Sequence, residues 1–350
     1  MRLIYLTLAL STATMSEASV PPEYLQVSHE NGDPPPFGAV DDVQTIRLTP
    51  PLRGGDHING WKEIPIVAGF DLKRLVVDED MNATLPYYVE NTKDLAQITR
   101  VVITTAGIWR NADICNSLIC AAGRESVNAD MSKILVAAPQ WLNKEDVAAG
   151  AAEMNDIYYH KNTYQRGGPA VGPGQVKISS FEVLDKLLAI FWNKDVYPAL
   201  ETIVIASHYA MLRPSQPEDG QITYGVMNPG SFAWLVSERP VLPTDITCSD
   251  SSVYDAWFFG IGPGKPKRIP KYVRDEVLNN RTLDHGKGDT HCEAQLQGAT
   301  HLERGQNFMK MLESLPGGFP VSHSVNYIEG VSHLDYHMMV SEPMQRKMFL

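Results

Sequence analysis

Short apolar runs rich in β-branched residues recur along the chain, separated by longer stretches of mixed polarity. Residues 202–206 form such a run without polar alternation, which is typical of a strand buried on both faces of a parallel sheet. In residues 180–191 the apolar side chains instead recur at helical spacing. Ser179 or Ser180 can cap that helix, and Glu182 is near enough to reach back. Further strands are predicted at residues 64–68, 85–89, 100–105, 133–139 and 222–227.

Strands that alternate with helices indicate a doubly wound α/β fold with a mostly parallel sheet. Active sites of such sheets lie at the carboxyl ends of the strands. Functional groups are therefore expected in the loops that follow Thr105, Ala138, Ala206 and Met227. No glycine-rich phosphate-binding motif follows any of these strands, so a nucleotide cofactor is not expected.

The N-terminus has the layout of a secretory signal peptide. Arg2 precedes the apolar residues 3–10, and small residues follow up to Ala18. This run is too short to span a bilayer, and no later stretch is apolar enough to do so. The alternative is that the run forms a buried first strand. The predicted organisation is a signal peptide at residues 1–18, an irregular Pro-, Gly- and Asp-rich lead-in at 19–60, and a folded domain at 61–350.

Charge and cysteine content narrow the possible partners and the compartment. The net charge of −11 repels phosphate backbones and anionic lipid, so neither a nucleic acid nor a membrane is expected as a partner. Two glycosylation sequons begin at Asn82 and Asn280. Together with the N-terminus, these features predict a secreted protein with disulfide bonds. The three possible pairings remain open among four cysteines: Cys115, Cys120, Cys248 and Cys292.

Several stretches, taken in order, resemble a family of secreted fungal α/β-hydrolases. They are residues 138–143, 181–185, 197–206, 228–235, 292–294 followed by Gln297 and Gly298, and 330–333. The likeness runs from about residue 60 to the C-terminus. It implies an α/β-hydrolase-like fold with lid or cap insertions after Ala138 and Ser237. It also implies hydrolysis of a small-molecule ester or other acyl ligand through an acyl-enzyme, without a cofactor.

The resemblance breaks at the nucleophile. Family members carry an elbow like Gly-His-Ser-x-Gly on a strained strand-to-helix turn, where the neighbours of the serine must be very small. If the chain is aligned without a gap, Tyr209 takes the serine position and Met211 the second glycine position. A bulky residue there costs roughly 1–3 kcal/mol. A better match aligns His208 with the histidine before the serine and residues 209–213 with the stretch after the elbow helix. The serine, both glycines and most of the helix are then missing.

The length of the connection gives an argument that does not depend on the family. Only the stretch from Ser207 to Gln221 joins two predicted parallel strands, and Pro214 and Pro217 interrupt it. A βαβ crossover needs roughly 10–12 residues, and proline breaks helix interiors. At most a stub of helix fits.

A second shortening is expected beside the acid. The helix-like residues 272–278 lead to Asp284 through residues 279–283 alone, which leaves no room for a normal strand. Two shortenings, each beside a catalytic loop, favour altered splicing or a faulty gene model over gradual drift.

The other parts of the catalytic machinery have candidates. On this fold the triad runs Ser, then Asp or Glu, then His, and the resemblance assigns the last two roles to Asp284 and His333. Backbone N–H groups of Gly107 and Ile108 are expected to form an oxyanion hole, although an ordinary strand-to-loop glycine is the alternative. Ser207 and His208 are interpreted as a remnant of the elbow. Ser207 is also a rival nucleophile, but a cap or turn residue is the favoured interpretation.

Arg110 and Asn111 follow the predicted oxyanion loop and either line a pocket or are solvated loop residues. Metal binding is not predicted, because the one dense group of ligand types is mixed and its two histidines are six residues apart. That group consists of Asp284, His285, Asp289, His291, Cys292 and Glu293. Three hypotheses follow for the whole chain: a truncated product of an active hydrolase gene, a non-catalytic relative that binds a ligand or partner, and an unrelated enzyme that uses this group.

Overall fold

An eight-stranded mixed sheet organises the chain in the computed structural model. The model describes residues 7–11, 58–113, 128–208, 221–227, 229–241, 250–261, 284–285, 291–319, 323–328 and 338–350, with single positions at 119, 123, 126 and 272. The strand order is β10-β1-β7-β6-β4-β5-β3-β2. These strands are β1 (Thr7–Ser11), β2 (Phe70–Asp78), β3 (Ala83–Glu90), β4 (Arg100–Thr105), β5 (Ile134–Pro139), β6 (Thr202–His208), β7 (Ile222–Met227) and β10 (Ser324–Ile328).

Two further strands and several helices complete the described elements. β8 (Ser231–Phe232) and β9 (Asp284–His285) form a separate antiparallel pair. The helices are α1 (Lys144–Ala149), α2 (Ser180–Phe191), α3 (Ser251–Tyr254), α4 (Cys292–Gln295), α5 (His301–Ser314) and α6 (Glu342–Phe349). None of these helices combines the length and apolar character that a membrane crossing requires.

Helices cover both faces of the sheet. Side chains alternate along each central strand, as the pleat requires: Ile203 and Ile205 join the core that includes α2 and α5, whereas Val204 and Ala206 join the core that includes α6. From β5 to β10 the neighbouring strands pair in parallel, and among the described strands of this sheet β3 is the one that runs antiparallel to both of its neighbours, β2 and β5. The predicted α/β-hydrolase-like, doubly wound and mostly parallel fold is confirmed.

Most predicted elements are confirmed, and one is wrong. Strands occur at the predicted 85–89, 100–105, 133–139, 202–206 and 222–227, within a residue or two. Ser179 caps α2 with Glu182 in a capping box, as the sequence predicts. Residues 64–68 are irregular instead, and the edge strand is β2. The sequence pattern does not predict β2, because charged residues interrupt its apolar ones. Edge strands commonly carry such charges, which disfavour pairing with the strands of other molecules.

The N-terminal apolar run occupies a place in the main sheet. β1 pairs in parallel with β7 on one side and with β10 on the other. This position agrees with the alternative interpretation of the run as a buried first strand. A signal peptide at 1–18 and the lead-in at 19–60 stay predictions.

Candidate functional site

The carboxyl ends of β4, β5, β6 and β7 meet at one edge of the sheet. Thr105 at the end of β4 is in register with Ser207 of β6, and His208 at the end of β6 is in register with Met227 of β7. This edge gathers the loops in which the sequence predicts a site. Its two halves differ in construction.

The loop after β4 is held by hydrogen bonds to its carbonyl groups. Tyr164 Oη donates to the Gly107 carbonyl at 2.6 Å, and the Arg110 N–H donates to the same oxygen at 3.0 Å. Arg110 Nη1 donates to the Ile108 carbonyl at 2.9 Å. Among the described residues, neither the Gly107 N–H nor the Ile108 N–H donates a hydrogen bond. Both are thus available for the predicted oxyanion role, which stays a prediction.

A buried ion pair fixes the far end of this loop. Arg110 Nε and Nη2 donate to the Asp146 carboxylate at 2.6 and 2.9 Å. The backbone N–H groups of Trp61 and Asn143 also donate to it, at 3.0 and 2.9 Å. Arg110 is 1% exposed and Asp146 is fully buried. Four donors on two oxygens satisfy this carboxylate, which is the condition under which a buried ion pair is tolerated.

The sequence predicts that Arg110 either lines a pocket or is a solvated loop residue. Arg110 does line a cleft, and it also forms this buried ion pair, which the sequence does not predict. Asp146 lies 36 residues away, on the first turn of α1. One signal was present: Asn143 and Asp146 have the spacing of a capping box, and the structure contains that box. The spacing predicts the start of a helix but not an arginine partner. Asn111 does line a cleft, which it shares with Gln140.

Buried aromatic residues support the same loop from below. The Trp141 ring stacks on Tyr164 with centroids 5.5 Å apart and meets Tyr159 edge-on at 5.7 Å. Complete burial raises the pKa of Tyr159 well above its ordinary value, so this phenol stays neutral at physiological pH. The loop therefore rests on a buried, uncharged layer of aromatic rings.

The end of β6 presents no accessible serine. Ser207 is fully buried, and its Oγ accepts a hydrogen bond from Thr105 Oγ1 at 2.8 Å. The same Oγ donates to the Thr105 carbonyl at 3.3 Å. His208 is the last residue of β6, and its side chain lies outside the described part of the structure. β6 and β7 are parallel neighbours joined only by residues 209–221.

The predicted acid lies beside the chain that leaves β7. Asp284 is in β9, where it is in register with Phe232 of β8, and β8 follows β7 by only a few residues. It therefore does not belong to a strand of the main sheet. The amide of Gln297 holds β8 in place, since it accepts from the Phe232 N–H and donates to the Phe232 carbonyl, both at 2.8 Å. His333 lies outside the described residues, beyond the end of β10.

The remaining predicted positions are only partly described. Cys292, at the start of α4, is disulfide-bonded, while the other three cysteines and Asn280 lie outside the described residues. Asn82 is exposed in the turn between β2 and β3. Glycosylation and the pairing of the cysteines stay predictions. Among the described residues, no group of three or more His, Cys, Asp or Glu side chains is placed to hold a metal ion.

No protein-family model matches this sequence, and a comparison with curated proteins found no match. Similar solved structures include LpqC, a poly(3-hydroxybutyrate) depolymerase from Bordetella parapertussis, at 15% identity and a TM-score of 0.48 over 76% of this chain and 85% of that one. Another is poly(aspartic acid) hydrolase-1 from Sphingomonas sp. KT-1, at 15% identity and a TM-score of 0.47 over 80% of this chain and 98% of that one. Neither similarity assigns an activity to this chain.

Proposed function

We propose that this chain is a non-catalytic relative of secreted α/β-hydrolases that cleave ester or other acyl bonds. It keeps the loop that binds the reacting carbonyl and lacks the residue that would be acylated. Its ligand would accordingly be a small-molecule ester or acyl compound that is bound and not turned over. Export of the chain is part of the proposal and rests on the sequons and the cysteines, since the N-terminal run that would direct it occupies a place in the sheet as β1.

The observation that carries the proposal is the short link between β6 and β7. These strands are parallel neighbours, so the chain must travel back along their full length within residues 209–221. That length is close to the minimum of about 10–12 residues for a crossover with its helix. Pro214 and Pro217 lie inside it. A nucleophile elbow followed by a helix of the usual length of about 10–14 residues would need a longer stretch.

Ser207 does not supply the missing nucleophile. A serine nucleophile must reach the substrate and must give its proton to a histidine. Ser207 is fully buried, and its hydroxyl is hydrogen-bonded on both sides to Thr105. These contacts link the side chains of two paired residues at the ends of the neighbouring strands β4 and β6.

A fluorophosphonate probe combined with p-nitrophenyl acetate hydrolysis tests this proposal. We expect no labelling of the folded protein, and hydrolysis no faster than that of His333→Ala. Ser207→Ala serves as the second control, because it removes the one serine at the elbow position. Labelling that disappears in Ser207→Ala would overturn the proposal and make Ser207 the nucleophile. Labelling that persists in Ser207→Ala would also overturn it and place the nucleophile elsewhere.

A second candidate is an active esterase encoded by a longer transcript. The support of the Gly107 loop favours an active esterase. The buried Arg110–Asp146 pair and the hydrogen bond from Tyr164 would hold an oxyanion loop in place, which a chain without catalysis does not need. Sequencing the transcript across codons 203–214 decides between the two. Extra codons for a Ser–Gly elbow between His208 and Tyr209 make this chain a shortened form of an active enzyme. A contiguous His208–Tyr209 junction in the dominant transcript leaves the non-catalytic relative.

A further inference from the structure

A cleft is lined by the end of the Gly107 loop, at Arg110 and Asn111, by the residues that follow β5, and by residues from the start of the domain. It measures about 300 Å³ including its open mouth, and its enclosed part has room for about one water-sized group. Apolar walls come from Trp61, Leu142 and Ala151, all of which are buried. Polar lining groups include Glu63, Asp113 and Gln140.

Gln140 offers the cleft an acceptor and no donor. Its Nε2 donates to the carbonyls of Arg110 and Trp141, at 2.7 and 3.0 Å, so the amide orientation is fixed. Gln140 is 3% exposed, and within the described part of the chain its Oε1 has no hydrogen-bond partner. A buried acceptor without a partner is unfavourable. A donor that enters the cleft would satisfy it.

The charges around the cleft favour a cation as that donor. Two of the lining residues, Glu63 and Asp113, are acidic. The lining cation, Arg110, is already paired with Asp146 through two short hydrogen bonds. The Trp61 ring adds an aromatic surface, and such surfaces attract cations. Among the described lining residues, an anion would meet the carboxylate of Glu63 and no positive charge other than that of Arg110.

We propose that this cleft is a binding site for a small primary ammonium compound. The ammonium group donates to Gln140 Oε1 beside the carboxylates of Glu63 and Asp113, and a short alkyl group packs on Leu142 and Ala151. The lining of the cleft includes neither Gly107 nor Ile108, so the proposed site is not the predicted oxyanion hole itself. It does not depend on whether the chain is catalytic.

Isothermal titration calorimetry of the full chain with n-butylammonium chloride tests the proposal. Cooperative unfolding in urea first shows that the protein sample is folded. We expect a dissociation constant of about 1 mM, the affinity that five non-hydrogen atoms can reach in a good site. n-Butanol and n-butyrate are the matched neutral and anionic probes, and we expect weaker binding for both. Equal binding of n-butanol would show that the cleft does not recognise the positive charge, and it would overturn the proposal.

Two variants locate the binding. Glu63→Gln keeps the shape and removes one charge, and we expect about threefold weaker binding, which is the effect of losing one partly exposed ion pair. Ala151→Met fills the cleft, and we expect binding to be lost. Glu79→Gln, an exposed residue beyond the other end of β2, is the charge-matched control and should bind as the parent does. Unchanged binding in both Glu63→Gln and Ala151→Met would place the cation elsewhere and overturn the proposal.

Discussion

The two halves of the carboxyl edge of the sheet are held together by different means. Beside β4 and β5, buried side chains supply the bonds: Arg110 pairs with Asp146, and Tyr164 with Gly107. Beside β7 and β10, continuity depends on β1, which comes from the far N-terminus and fills the position between them. The loop expected to bind a carbonyl is therefore fixed locally, whereas the side that carries the predicted acid and histidine depends on a distant segment.

Deletion of residues 1–18 should have the largest effect. Among the described residues, β10 pairs only with β1, so the deletion leaves the edges of both β7 and β10 open. We expect the chain that begins at residue 19 to lose most of its free energy of unfolding, which is about 5–15 kcal/mol for an ordinary domain. Urea denaturation of both forms, followed by circular dichroism, measures the difference. Equal stability would remove β1 from the fold in solution and favour the signal peptide; N-terminal sequencing of exported protein then shows whether cleavage follows Ala18.

Asp146→Ala should have the next largest effect, on the locally fixed half. It leaves the Arg110 guanidinium buried without its carboxylate, and removing one partner of a buried pair costs about 3–5 kcal/mol. The matched control is Glu342→Ala, which breaks the exposed pair with Arg346 on α6 and should cost less than about 1 kcal/mol. Both values come from urea denaturation. Similar values for the two variants would contradict the view that the buried pair fixes this half.

The sequence predicts more of the sheet than of the site. Residues 202–206 and 222–227 are predicted correctly because a strand buried on both faces is apolar throughout. The length between them is the basis for the prediction of a shortened elbow, which stays a prediction. β2 is not predicted, because Asp71, Lys73 and Arg74 interrupt its apolar residues at the edge of the sheet. The ion pair between Arg110 and Asp146 could not be predicted for another reason. A buried arginine and an exposed one look alike in a sequence until the distant carboxylate is brought beside it.

Acidification should weaken the half that contains β10. Burial lowers the pKa of His323, just before β10, to about 4. The unfolded chain binds this proton below about pH 6.5 and the folded chain only near pH 4. The contribution to stability is therefore complete above pH 6.5 and is lost as the pH falls toward 4, by at most about 3 kcal/mol. Urea denaturation between pH 7 and 4 measures it, and His323→Leu should flatten the profile over this range. An unchanged profile in His323→Leu would assign the acid sensitivity to other groups.

Tyr164→Phe should have the smallest effect and the most local one. It removes the 2.6 Å hydrogen bond to the Gly107 carbonyl and keeps the ring that stacks on Trp141. The Gly107 oxygen still accepts from the Arg110 N–H, so the loss should be about 1 kcal/mol. Amide hydrogen exchange adds a second readout, since residues 106–109 should exchange faster while the central strands do not change. Tyr327→Phe, on the exposed face of β10, is the matched control and should alter neither. Faster exchange across the whole sheet in Tyr164→Phe would mean that this tyrosine stabilises the core in general. It would contradict the view that the Tyr164 hydrogen bond acts on the Gly107 loop alone.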